Sequence, residues 1–334
     1  MSRLRTFAAT AAIGAVGILA GCEAADPVAV KVSSSVELAR VPDAEQAVYS
    51  PALDQMRQSL LAAGVTHVQL ASAELRVSRY GADWQGKTTL LANDRTHKFH
   101  SLFVESDPRR PSGSAITYLV DQSDGNAFSI TAGGQVAGLS NAQTEPAIDA
   151  SMHRWRAQTH CPGPAIVKVP DPGIDPDLAD FFITLDASLL GTPLADITHA
   201  GWLPGPFFDL LLPNGSAFIL GVTFTFEFID GAGNPTDLDR NGISDAAFHE
   251  IYYNGAFPWT TSASNPNSVD IESVATHEGG HAFGLGHFGK VFIDNKGAVK
   301  FAPLAVMNGV YVIPFREVTG SDRASFCSIW ANSW

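Results

Sequence analysis

The chain has 334 residues, 45% of them hydrophobic, with 30 glycines and 20 prolines. That is enough for one sizeable domain plus a small extra region with many loops. A net charge of −13 without any basic cluster argues against nucleic-acid binding.

Arg3 and Arg5 precede an apolar run from Phe7 to Ala20, too short for a membrane span but of signal-peptide length. The run ends in Leu19-Ala20-Gly21-Cys22, which resembles the bacterial lipobox. The resemblance implies a lipoprotein signal peptide over 1–21 and an acyl chain on Cys22, anchoring the protein to a membrane. Glu23 then points to an outer membrane, where the cell has one. The competing reading is a plain signal peptide with a chance cysteine. Residues 22–50 read as a tether. Residues 51–110 read as a propeptide or small accessory region. It opens with an amphipathic helix (Leu53, Met56, Leu60, Leu61), followed by strand-like runs at Val68–Val77 and Lys98–Glu105.

A catalytic-type domain is expected over 111–334. Ile116–Val120 reads as a strand and Glu145–Thr159 as a helix, with Ile148, Met152 and Trp155 at helical spacing. Ala165–Val169 and Phe181–Leu185 read as strands, and His199 as a loop histidine. Ala217–Ile229 is a long strand with Phe224, Phe226 and Phe228 on one face and Thr223, Thr225 and Glu227 on the other; Ala247–Tyr253 is another. Between them, Asp237, Asp239, Asn241 and Asp245, with Gly242, form most of a calcium loop, although its twelfth position is Phe248. The same residues would also make a solvated turn.

Ser268–Phe283 reads as a helix, capped by Asn267 or Ser268, with Asp270 and Glu272 in its first turn. It carries His277-Glu278-Gly279-Gly280-His281, followed by Gly284 and His287. Histidines four apart share a helix face and suit Zn²⁺, which takes nitrogen ligands at about 2.0–2.1 Å. Gly284 allows the sharp turn that returns His287 as a third ligand. Three protein ligands leave a position open for water, the pattern of a catalytic zinc, with Glu278 beside it as general base. Val291–Ile293 and Ala298–Phe301 flank a hairpin turn, and Gly320–Trp330 reads as a closing helix. With Cys22 lipidated, Cys161 and Cys327 are left in an oxidising compartment, so a disulfide is expected, the alternative being two buried thiols.

The motif, with Ala305-Val306-Met307-Asn308 after it, resembles the metzincin clan of zinc endopeptidases. Val274–Glu278 and Gly284–His287 are most similar to its matrixin branch, although Phe288 stands where matrixins usually carry a small hydroxyl residue. The resemblance implies an α+β fold: a twisted, mostly parallel five-stranded sheet, the active-site helix, a Met-turn with Met307 as apolar floor, and a C-terminal helix. It also implies that 217–229 is the sheet edge facing a peptide substrate, and that Pro303–Ile313 walls a substrate pocket. Ile197–Gly205 faintly resembles a matrixin segment that binds a structural zinc, whereas Tyr311 lies at the wrong offset from Met307 for a zinc role. No cysteine lies between 23 and 160 to cap the zinc as matrixin propeptides do. The function implied is a zinc-dependent, monomeric endopeptidase acting on a protein or peptide. The alternative is a non-catalytic zinc-binding lipoprotein of the cell envelope.

Overall fold

A computed structural model describes residues 30–31, 51–78, 89–94, 101–121, 138–158, 161–173, 178–179, 193–265, 267–331 and 334. In chain order the strands are β1 (Val30–Lys31), β2 (Val68–Ser78), β3 (Thr89–Asp94), β4 (Ser101–Leu102), β5 (Ile116–Val120), β6 (Ile166–Lys168), β7 (Ile197–Leu203), β8 (Ile219–Phe228), β9 (Ser244–Asn254), β10 (Trp259–Thr260), β11 (Val269–Asp270), β12 (Gly289–Ile293), β13 (Ala298–Ala302) and β14 (Val310–Tyr311). The helices are α1 (Pro51–Ala62), α2 (Asn141–Arg156), α3 (Gly205–Leu211), α4 (Ile271–Ala282) and α5 (Gly320–Trp330). No described helix is long and apolar enough to cross a membrane. The expected signal peptide, Cys22 and the 181–185 strand lie outside the described residues, as does the expected tether apart from β1.

The main sheet runs β14-β2-β8-β9-β7-β5-β6, with β4 paired to β9. The pairs β6–β5, β5–β7 and β7–β9 are parallel, and β8 is antiparallel to β9. Of these five strands, β5, β6, β8 and β9 were expected and β7 was not; with them the mostly parallel five-stranded sheet is present, and three further strands extend it to eight. The parallel strands need crossovers, and α2 supplies the one between β5 and β6. That helix starts at Asn141, ahead of the expected Glu145. Gln143 Oε1 accepts the Ser140 N–H at 3.0 Å, which fixes the earlier start. β7 occupies the stretch read as a loop around His199. Its Gly201 and His199 weaken a strand signal that burial between β5 and β9 restores.

Each face of the sheet covers its own core. Phe224 and Phe226 point toward α1 and α3, where Phe207, Tyr252 and Phe248 pack against them. The opposite face meets α2, α4 and α5 around Trp155, Met307 and Phe326. Large aromatics filling both faces supply the area term that holds such a layered domain. A disulfide joins Cys161, beyond α2, to Cys327 on α5, with Cα atoms 5.6 Å apart. Closing a loop of 166 residues costs the unfolded chain about 5 kcal/mol of entropy. A second, four-stranded sheet, β1-β13-β12-β3, is built on the expected hairpin.

One expectation fails here. β8 is not the edge of the sheet: β2 pairs antiparallel with it from Val68↔Phe228 to Val77↔Ile219, and β14 in turn pairs parallel with β2. Alternation along β8 says which residues face a core. It says nothing about which strand lies alongside, and β2 comes from 150 residues earlier in the chain. Residues 68–78 are thereby built into the sheet against which the histidine-bearing helix packs.

Candidate metal centre

Helix α4 is capped by Asp270, two or three residues later than the expected caps. The Asp270 carboxylate accepts the Ser273 N–H at 3.0 Å and pairs with Arg316 at 2.5 Å. Glu272 bridges Arg316 and Arg154, each at 2.7 Å. Negative groups in the first turn complement the helix dipole, and Arg154 ties the helix to α2. Every residue of α4 is buried. Gly279 and Gly280 should each cost about 1 kcal/mol relative to alanine in a helix interior, and the packing explains why they stand there. A Cβ on Gly280 would lie 2.3 Å from the Met307 sulfur and 2.9 Å from the Trp155 ring. Trp155 also donates its indole N–H to the Thr276 carbonyl at 2.8 Å. The missing side chains let α2 and the Met307 turn close on the histidine turn from two sides.

The helix ends at Gly284, whose φ of +80° is accessible to glycine without strain. The chain then turns and brings His287 back. The Nε2 atoms of His277, His281 and His287 form a triangle with sides of 3.0, 3.0 and 3.1 Å. Three nitrogens so spaced can all lie at the about 2.0–2.1 Å that zinc requires, leaving the far side of the ion open. His277 Nδ1 donates to the Val306 carbonyl at 2.7 Å, and His281 Nδ1 donates to the Leu285 carbonyl at 2.8 Å. A carbonyl can only accept, so those protons sit on Nδ1 and the Nε2 lone pairs point inward. Burial pushes all three imidazoles toward the neutral form: His281 to about 3, the others well below their usual value, with the Arg76 guanidinium adding to the effect. Three converging lone pairs without a proton among them repel one another, and a divalent cation removes that repulsion. The donor set therefore fits Zn²⁺.

Glu278 is fully buried. Its Oε2 accepts the Thr223 hydroxyl at 2.7 Å, while Oε1 has no hydrogen-bond partner. Burial raises its pKa to about 8, against the pull of the Thr223 hydroxyl, the Arg76 guanidinium and the Arg76 backbone N–H. A Cβ on Gly221 would sit 2.9 Å from Oε1, so β8 approaches the carboxylate as closely as a glycine permits. Thr223, Gly221 and Arg76 were not singled out from sequence. The signals were there: a glycine inside an apolar strand, and an arginine in an alternating apolar one.

Met307 lies under the centre against Gly280, and its own N–H and that of Val306 donate to the Asp322 carboxylate at 3.1 and 3.0 Å. Tyr311 turns away from the histidines: its hydroxyl accepts the Asp270 N–H at 3.0 Å. His199 is buried, bonded through Nδ1 to the Tyr253 hydroxyl at 2.8 Å, and held near a pKa of 3 by burial. It joins no group of metal-type ligands among the described residues. Carboxylate oxygens of Asp237, Asp239 and Asp245 come within 4.8 Å of one another. Asp245 is turned inward to Arg109 at 2.6 Å, and Asp237 accepts the Asn241 and Gly242 N–H groups at 3.0 and 2.9 Å. The Asn241 oxygen accepts the Ile243 N–H at 2.7 Å. Phe248, at the twelfth position, stacks in the core on Phe226 at 4.3 Å.

The two interior glycines should respond differently to alanine. At Gly279 the new methyl would press only on the Met152 sulfur, at 3.3 Å, and make ordinary contact with the Trp155 ring at 3.6 and 3.7 Å. The helix-propensity gain of about 1 kcal/mol should roughly offset that contact. At Gly280 overpacking against Met307 and Trp155 should outweigh it, with a net loss of about 1–3 kcal/mol and weaker metal binding. Urea denaturation of the two single mutants, with zinc competition against a chelator, checks the ranking. Equal stability of the two would contradict it.

Residues 230–292 match the family model described as Matrixin. No curated protein matches the chain. The matched span runs from the end of β8 through α4 and the third histidine to β12, the part of the fold that makes the metal centre. Over that span the chain is similar to the matrixins, a branch of the metzincin metallopeptidases, and the match supports a matrixin-like reading of the metal centre.

Proposed function

We propose that this protein is a zinc-dependent endopeptidase. The observation that carries the reading is a fully buried carboxylate, Glu278, one residue after His277 on the helix of the three-nitrogen site, with one oxygen steadied by Thr223 and the other unpartnered. A zinc ion held by His277, His281 and His287 supplies Lewis-acid polarisation of the scissile carbonyl and a nucleophilic water at neutral pH. Glu278 serves as the proton carrier. Its free Oε1 takes a proton from the attacking water and delivers it to the departing amine nitrogen. The Thr223 hydroxyl keeps Oε2 occupied, so the proton has one oxygen to use.

The same proposal includes two finer points. The leader and Cys22 support a lipid-anchored protein of the cell envelope. The three converging carboxylates support calcium at Asp237 and Asp239, beside Asn241, with Asp245 already neutralised by Arg109.

Three outcomes check these statements. Glu278→Gln should retain zinc, since no ligand is lost, and should lower peptide turnover by about a hundredfold or more. Metal analysis and hydrolysis of a mixed peptide library measure both, and turnover equal to the parent's would sink the mechanism. Cys22→Ser should move the protein from the membrane fraction to the soluble one, because an acyl chain contributes about 0.8 kcal/mol per buried CH₂. A mutant that still sediments with membranes would count against the anchor. Asp239→Ala should lower the melting temperature in calcium but leave it unchanged in chelator. Identical shifts in both buffers would mean the loop is only a turn.

A further inference from the structure

We propose that the end of β2, Leu75–Ser78, occupies the lane in which an extended peptide meets Glu278, and that this segment must peel away for the site to open. The proposal rests on the peptidase reading above. The β8 residues that touch the Glu278 carboxylate are Gly221 and Thr223. Any extended chain that pairs with β8 and passes this carboxylate must therefore run opposite those two residues. In the structure the residues opposite them are Arg76 and Glu74. A strand added to a sheet edge uses backbone hydrogen bonds that any sequence can make, so β2 fills the lane as a peptide would.

The second wall makes the same point independently. The Ser78 N–H donates to the Phe218 carbonyl at 2.7 Å, beside β8. The Val77 N–H donates in the other direction, to the Gly309 carbonyl at 3.2 Å, and β14 pairs parallel with Val77–Ser78. Gly309 is two residues beyond Met307. The end of β2 is thus held between the sheet and the methionine turn, above the metal site. Its side chain at 76 seals the closure. The Arg76 Nη1 donates to the carbonyls of Ser273 on α4 and Val306, at 3.1 and 3.2 Å, and its guanidinium lies 5.4 Å from the centre of the Tyr311 ring. Val306 is the carbonyl that also holds His277, so one acceptor is shared between the closing strand and a metal ligand. With β2 in place, Glu278, His277 and His281 have no appreciable exposure.

The hold is uneven along the strand. At its start, Arg57 of α1 donates to the Leu70 and Ala71 carbonyls at 2.6 and 2.7 Å, and Leu70 and Ala73 are buried in the core with α1. Toward its end, the pairing with β8 breaks register between Arg76 and Val77, and the buried Arg76 Nε has no partner. An unsatisfied buried donor weakens the closed state relative to one in which the guanidinium reaches water. Leu75 and Val77 lie in the same core as the start of the strand, so peeling withdraws these two side chains while α1 and Arg57 keep the start in place. Opening therefore does not require residues 51–78 to leave the fold.

The test uses zinc-loaded full-length protein, with occupancy verified by metal analysis, and an extended peptide hydroxamate as probe. One variant, Arg76→Ala, loosens the strand. A second, Leu75→Cys with Val222→Cys, tethers it through a directly opposed pair on the face away from the metal. If open forms make up about 0.1–10% of the parent, Arg76→Ala should bind the probe about 10- to 1,000-fold more tightly. Amide exchange at Leu75–Ser78 should also quicken. The oxidised tethered variant should not bind, and reduction should restore the parent's affinity. The parent under the same reductant controls for the Cys161–Cys327 bridge. Probe binding by the oxidised tethered protein at the parent's affinity overturns the proposal, as does failure of Arg76→Ala to bind better than the parent. Binding gated by the tether without peptide hydrolysis by any form would keep the gate and sink the peptidase reading. Hydrolysis that persists while the tether is closed would do the reverse.

Discussion

Three neutral imidazole nitrogens held about 3 Å apart repel one another, and the surrounding structure exists to keep them there. Helix periodicity aligns only two of them. The third depends on the turn at Gly284, and two of the rings are oriented by backbone carbonyls that accept their outer protons. One of those carbonyls, Val306, belongs to the methionine turn, whose N–H groups are bound by Asp322. Asp322 also receives the Thr319 N–H and so caps α5. The metal site, its apolar floor and the closing helix are one connected network, which the Cys161–Cys327 bridge ties to the end of α2.

Close approach is the second requirement. An ordinary side chain at Gly280 would push Met307 and Trp155 off the helix, and one at Gly221 would collide with Glu278. The two glycines weaken α4 as an isolated helix, and burial on all sides replaces what propensity lacks. Charge does the same at the helix start. Asp270 and Glu272, both shielded from water, are held by Arg316 and Arg154, two arginines from distant parts of the chain. Removing one arginine would leave its carboxylate short of a partner in a poorly solvated place.

The position of β2 changes what the site can do at rest. A sheet edge beside a hydrolytic centre is where an extended peptide would be gripped. Here that edge is already paired, and Glu278 is sealed from solvent. If β2 gates the site as proposed, closure would need no cysteine on the metal, and none lies between residues 23 and 160.

The convergence of the three histidines, the adjacent Glu278 and the turn carrying Met307 were legible in the sequence because each depends on local geometry. A four-residue spacing puts two histidines on one face, a glycine permits one turn, and an acid beside a ligand has few places to go. Strands β8 and β9 were legible from their apolar patterns, the hairpin from its turn residues, and α5 appears at its expected ends. Pairing between distant segments was not legible. Alternation in Val68–Val77 and in Ala217–Ile229 fixes the faces of each strand but carries no record of which neighbour it takes. The choice of β2 over solvent as the partner of β8 was made by the packing of α1 and the fit of Arg76 among the Ser273 and Val306 carbonyls. The strand at Ile197–Leu203 escaped for the same reason: its histidine and glycine read as a loop until β5 and β9 closed on both sides. The chemistry of the site follows from residues a few positions apart, whereas access to it depends on contacts between residues more than a hundred positions apart, which only the folded chain specifies.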